Sequence, residues 1–118
     1  MENPRVTLLD MSRIAVVFPP IRVSRDFIDY PYFANLGAVQ AAAVLRAAGH
    51  HVNLVDALSM KGAALTPQDD TYVCLGASLD DVIGRVTVDT DAVLVAYTPF
   101  HRPPSRDPLL ADLFVRLR

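Results

Sequence analysis

The chain carries one cysteine, Cys74, in 118 residues. A lone thiol makes no internal disulfide and cannot hold an iron–sulfur cluster, so a reducing, cytoplasmic setting is expected. Tryptophan is absent and glycines number only five. No Gly-x-Gly-x-x-Gly follows the first apolar run and there is no Walker phosphate loop, which removes the two common nucleotide fingerprints. Lysine is nearly absent too: Lys61 stands against ten arginines, and with 13 acidic residues the net charge is -2. That balance lacks the basic footprint of a nonspecific nucleic-acid binder. No apolar run approaches the ~20 residues of a membrane span. The start, Met1-Glu2-Asn3-Pro4-Arg5, lacks the basic-then-apolar layout of a signal peptide. Neither nucleic acid nor membrane is therefore expected as a partner.

What is present is a globular composition, 52% hydrophobic and 20% charged, enough for one core in one domain. Arg13-Ile-Ala-Val-Val-Phe18 is apolar at five consecutive positions. A strand without alternation is buried on both faces, as in a parallel sheet. Pro19-Pro20 ends it, because proline cannot donate to the ladder. Residues 1–12 read as a leader or an extra edge strand, the leader being favoured, with Met11 as a second plausible start. Ile21–Tyr32 reads as a long loop mixing charges with aromatics. Ala34–Ala48 is Ala-rich, with Leu36, Val39, Ala43 and Val44 at helical spacing and Gly49 where a left-handed cap belongs. Gly37 is a close-approach candidate or a merely tolerated glycine.

His51–Asp56 is a second strand, so residues 13–56 form a strand–helix–strand unit with parallel strands. Ala57–Asp70 has loop composition and Thr71–Leu75 is a short extended candidate. Ser78 suits an N-cap, with Asp80 and Asp81 at the positive end of a helix running to about Val86. Asp91–Tyr97 is a third buried strand. Thr98–Arg106 is a loop, and Asp107-Pro108 opens a final helix from Leu109 to the last residue. The pattern predicts an α/β fold: a doubly wound, Rossmann-like (flavodoxin-like) parallel sheet of three core strands. Three strands make a thin sheet, so the domain is expected to be incomplete, or to pair its third strand with another copy as a homodimer.

In such sheets ligands lie at the carboxyl ends of the strands. These ends are Phe18-Pro19-Pro20, Asp56-Ala57-Leu58 and Tyr97-Thr98-Pro99, with Tyr30, Tyr32, Phe33 and Phe100 in the adjoining loops. The edge is apolar and aromatic, suited to a large flat cofactor, or else its rings cap a thin core. The first strand ends in Phe18-Pro19 without the carboxylates of a phosphoacceptor domain. Asp56 could take a ribose hydroxyl, although such an Asp more often caps a turn. His50-His51 falls on the opposite edge, and two neighbouring strand residues face apart, which disfavours a shared metal. His101 is a candidate ligand or proton donor, with a solvated loop histidine as the commoner case. Asp80 and Asp81 read as helix-start charges and Cys74 as a core thiol. No nucleophile–base pair is evident, so no catalytic residue is expected.

Four stretches in this order, Arg13–Pro20, Leu36–Asp56, Leu75–Asp81 and Asp91–Ala96, carry a family resemblance. The layout, with its Pro-Pro strand end and its Leu-Arg-Ala-Ala-Gly-His helix end, resembles the N-terminal cobalamin-binding domain of radical S-adenosylmethionine enzymes. That group includes the anaerobic magnesium-protoporphyrin IX monomethyl ester cyclase. The resemblance spans residues 13–118 and implies a corrinoid cofactor seated near Pro19, Pro20, Tyr97, Thr98 and Pro99. The Asp-x-His-x-x-Gly motif that supplies a lower cobalt ligand is absent, with Pro19-Pro20-Ile21 in its place. Cobalamin would then bind without a protein histidine. The Cys-x-x-x-Cys-x-x-Cys of the cluster is absent too, so the cluster and S-adenosylmethionine are expected only in a further, downstream domain. The implied role is a binding module of a cyclase or methyltransferase that is not catalytic by itself. The alternative is a cofactor-free interaction module, and a stand-alone enzyme using His101 is a third, weaker reading.

Overall fold

The computed structural model describes residues 12–26, 36–96 and 108–117. Three strands, β1 (Arg13–Phe18), β3 (His51–Asp56) and β6 (Ala92–Val95), form a parallel sheet in the order β3-β1-β6. Their registers align Phe18 with Asp56 and Val17 with Val95, so the three carboxyl ends reach one edge together. The chain winds from β1 to β3 through helix α1 (Leu36–Ala47), then returns past β1 to β6 through helix α2 (Leu79–Gly84). The winding direction thus reverses between β1 and β6. This is the doubly wound α/β arrangement, Rossmann-like and thin, and among the described residues β3 and β6 are its edges.

The uninterrupted apolar run of β1 is explained by cover on both faces. Val16 and Phe18 point to one side, against Ala38 and Ala42 of α1. Ala15 and Val17 point to the other, against Val82 of α2 and Leu110 and Leu113 of helix α3 (Pro108–Arg116). Each fully buried Leu or Val contributes about 1.5–3 kcal/mol relative to exposure. Ser78 caps α2 by accepting the Asp81 N–H at 3.1 Å. Gly49, at φ +99°, ends α1: its N–H donates to Arg46 O and the His50 N–H to Leu45 O, the two bonds of a Schellman cap.

A second sheet departs from the sequence expectation. Ile21–Tyr32 was expected to be loop throughout, yet β2 (Ile21–Ser24) starts directly after Pro20. Ala57–Asp70 was also expected to be loop, yet β4 (Ala64–Pro67) lies within it. Both pair antiparallel with β5 (Tyr72–Gly76), in the order β2-β5-β4. The cause is packing: Ile21 and Val23 of β2, and Val73 and Leu75 of β5, bury the same face onto Phe18 and the α1 alanines. Asp69 closes the β4–β5 turn, its Oδ1 accepting the N–H groups of Thr71 and Tyr72 at 2.8 and 2.7 Å. Arg22 lies over the Tyr72 ring, 3.7 Å from its centroid.

The buried face of α1 also differs from expectation. Leu36, Val39 and Val44 are exposed, Leu36 and Val44 by 68% and 69%, and Ala43 is exposed as well. Ala38 and Ala42 are fully buried. The helix is apolar nearly all round, so hydrophobic spacing does not select a face. The four-residue ridge of small side chains, which permits close approach to β1, does. Among the described residues no helix is long and apolar enough to cross a membrane.

Candidate functional site

The carboxyl edge of the parallel sheet is built by short backbone links. The Ala57 N–H donates to Phe18 O at 2.9 Å and the Ala96 N–H to Val17 O at 2.8 Å, continuing the ladder one step past each strand. Asp56 is 3% exposed. Its Oδ1 accepts the Leu58 N–H at 2.9 Å, and its carbonyl accepts Ser59 and Met60 N–H groups. Its carboxylate therefore takes part in the turn that carries the chain away from β3, the role such a residue most often has.

Between β1 and β3 this edge is covered. β5 exits over it, and the Ala77 N–H donates to Ala57 O at 2.7 Å. Gly76 makes the crossing possible at φ +117°. A Cβ there would stand 3.0 Å from Ala57 O and 3.2 Å from Leu58 Cδ2. Pro19 and Pro20 are each less than 2% exposed. Two of the five residues assigned to the corrin seat thus have buried side chains. The other three, Tyr97, Thr98 and Pro99, lie outside the described residues, as do Tyr30, Tyr32, Phe33, Phe100 and His101. The winding reverses at the other half of the edge, between β1 and β6, and this is where doubly wound folds take ligands.

Beside Pro20 a cleft of about 270 Å³ runs under the β4–β5 hairpin, lined in part by Cys74, Gly76, Asp80 and Arg116. Cys74 is half-buried and faces this side, because its neighbours Val73 and Leu75 face the core and side chains alternate along a strand. The expected core thiol is therefore a cleft thiol. Asp80 begins α2 as expected and binds Arg116 of α3, Oδ1 to Nη2 at 2.5 Å. That contact ties two helices together and leaves no acid–base pair with Asp81.

The described residues fit a corrin only in part. They provide an apolar strand-end edge, covered between β1 and β3, and no imidazole at that edge. His50 and His51 lie at the opposite, amino edge of the sheet, and among the described residues no three His, Cys, Asp or Glu side chains converge to hold a metal ion. Sequence reasoning located the edge but missed its cover, since nothing local to Pro19-Pro20 announces a strand 50 residues later. Comparison of the chain with family models, with curated proteins and with solved structures found no match in any of the three.

Proposed function

We propose that the chain is a cobalamin-binding-type module of a larger, cytoplasmic radical S-adenosylmethionine enzyme, a cyclase or methyltransferase, and is not catalytic by itself. The observation that supports this reading is the strand order β3-β1-β6 with aligned carboxyl ends. Winding reverses between β1 and β6, the place where doubly wound folds take ligands; Pro19-Pro20 follow β1 there, and Tyr97-Thr98-Pro99 come soon after β6 in the sequence. Bound there, a corrinoid would supply the cobalt-centred chemistry. The chain's part would be to seat it through backbone and apolar contacts, with no cobalt ligand from the described residues. The cluster and S-adenosylmethionine belong in this reading to a separate domain, because one cysteine cannot hold a cluster. Titration with hydroxocobalamin at high micromolar protein tests it. A shift in the visible spectrum and co-elution on gel filtration are expected, and their absence removes the reading.

The burial of Pro19 and Pro20 favours a second reading, a cofactor-free interaction module of the same fold. Its partner surface would be the β6 edge, where Leu94 is 43% exposed and a second copy could add a strand. Sedimentation showing a dimer, together with no cobalamin binding, would select it. A clean monomer that also ignores cobalamin would remove both.

A further inference from the structure

The amino edge of the parallel sheet lies roughly 16 Å from the carboxyl edge, one β1 length away, and carries a groove of its own. It encloses about 610 Å³ and is lined by Arg13, Arg46, His50, His51, Thr87 and Thr90, with Asn53 beside them. Small-molecule sites commonly enclose about 300–1,000 Å³. Among the described residues the lining holds no carboxylate, and nearly every polar side chain in it can donate a hydrogen bond.

Two of these donors are held in place by the chain itself. The Schellman cap at Gly49 fixes His50 immediately after α1, and Arg46, in the last turn of α1, donates from Nη2 to Val52 O at 3.2 Å. That bond orients the guanidinium and uses one of its five N–H groups. His50 Nδ1 is buried and has no hydrogen-bond partner among the described residues. A buried polar nitrogen left without a partner carries a desolvation penalty that a bound ligand atom would relieve. Asn53 is already engaged, donating to Arg85 O at 2.6 Å. The Thr87 and Thr90 hydroxyls lie 3.2 Å apart and share one hydrogen bond, and Thr87 also donates to the Asp89 carboxylate, so both hydroxyl hydrogens are engaged.

We infer that this groove binds a phosphate group, carried on a small phosphomonoester whose body occupies the remaining volume. Arg46 and Arg13 neutralise the charge, and the His50 ring turns its Nδ1–H, buried in the free chain, toward one phosphate oxygen. Guanidinium and imidazole donors suit phosphate because charge-assisted bonds are the strong ones and a guanidinium can bind two oxygens at once. Three features oppose the anion and are overcome in this arrangement. The C-terminal end of α1 is the negative end of its dipole, but Gly49 and His50 already cap two of its carbonyls. Asp91 sits at the flank, with its Oδ2 taken by the Arg13 N–H at 2.7 Å. Asp89 pairs with Arg13, Nε to Oδ2 at 3.4 Å, both side chains being about half exposed. Such an exposed pair is weak, so a phosphate can displace Asp89 from Arg13.

The probes are inorganic phosphate and glycerol phosphate, titrated into the full chain at constant ionic strength while amide shifts are followed by NMR. Saturable shifts at Arg13, Arg46 and residues 50–53 are expected, with glycerol phosphate the tighter of the two. Equal affinity would assign the site to free phosphate and overturn the phosphomonoester. Arg46→Gln should weaken binding at least 10-fold, whereas Lys61→Gln, which removes the same charge outside the groove, should leave it unchanged. Asp89→Asn should tighten binding by up to about 5-fold, a gain that a damaged fold cannot mimic. No saturable shift up to 10 mM, or equal losses in the Arg46 and Lys61 variants, would overturn the inference.

Discussion

Gly76 offers the sharpest test of how the two sheets join. Its φ of +117° lies in the region that L side chains rarely adopt, and an added Cβ would approach Ala57 O to 3.0 Å. The obstacle is backbone that already accepts the Ala77 N–H at 2.7 Å, so it cannot swing aside cheaply. Backbone strain of about 1–3 kcal/mol and overpacking of about 1–3 kcal/mol together predict a loss of roughly 2–6 kcal/mol for Gly76→Ala. Domains of this size have about 5–15 kcal/mol in all. With a urea slope of about 1–3 kcal/mol per molar, the midpoint should fall by on the order of 1–2 M. Gly84→Ala is the matched control. Gly84 ends α2 with nothing within 4 Å of a new Cβ, so the same chemical change should be neutral or stabilising by up to about 1 kcal/mol. Urea melts followed by circular dichroism read both. If Gly76→Ala stays within 0.5 M of the parent, or if Gly84→Ala falls as far, the crossing of β5 over the β3 turn is wrongly described.

Other expectations follow from packing and charge. Leu113 is fully buried against the sheet, so Leu113→Ala should cost about 2–5 kcal/mol in the same melts. On α1, Ala42→Leu should cost about 1–3 kcal/mol by overpacking against β1, whereas Val44→Ala, on the exposed side, should stay within about 0.5 kcal/mol; the reverse order would restore the face expected from spacing. The Asp69 carboxyl is held below its ordinary 3.8, first by the Tyr72 N–H and then by that of Thr71. A lowered carboxylate stabilises the fold fully above its ordinary value and loses that contribution as pH falls from there through the lowered one. Urea midpoints should therefore decline as pH drops below about 4, and Asp69→Ala should decline less steeply over that window.

Much of the fold was legible because β1 and β6 are short apolar runs, β3 carries Val52, Leu54 and Val55, and Pro19, Asp56 and Thr98-Pro99 are turn signals in the sequence. Helix α1 was legible for its alanines and for Gly49, but its orientation was not, since Leu36, Val39 and Val44 are as apolar as the residues that are buried. The second sheet was hidden for a different reason. Arg22 pairs with Cys74 and Val23 with Val73, partners about 50 residues apart, and β4 is exposed at every position. Strands so short carry one or two alternating residues, too few to distinguish from loop. The same gap limited the reading of the site. The ends of β1 and β3 were placed correctly, but the burial of Pro19 and Pro20 depends on a hairpin that returns from far along the chain. The half-buried thiol of Cys74 followed from alternation once β5 was known to be a strand.

Ala57 belongs to neither sheet, yet its N–H reaches β1 and its carbonyl receives the chain leaving β5. One peptide on each side of a single residue couples the parallel layer to the antiparallel one. Neither layer can peel away without breaking that junction, so the amides of Ala57 and Ala77 should exchange with solvent at a common rate, set by opening of the whole molecule and not by fraying of a hairpin.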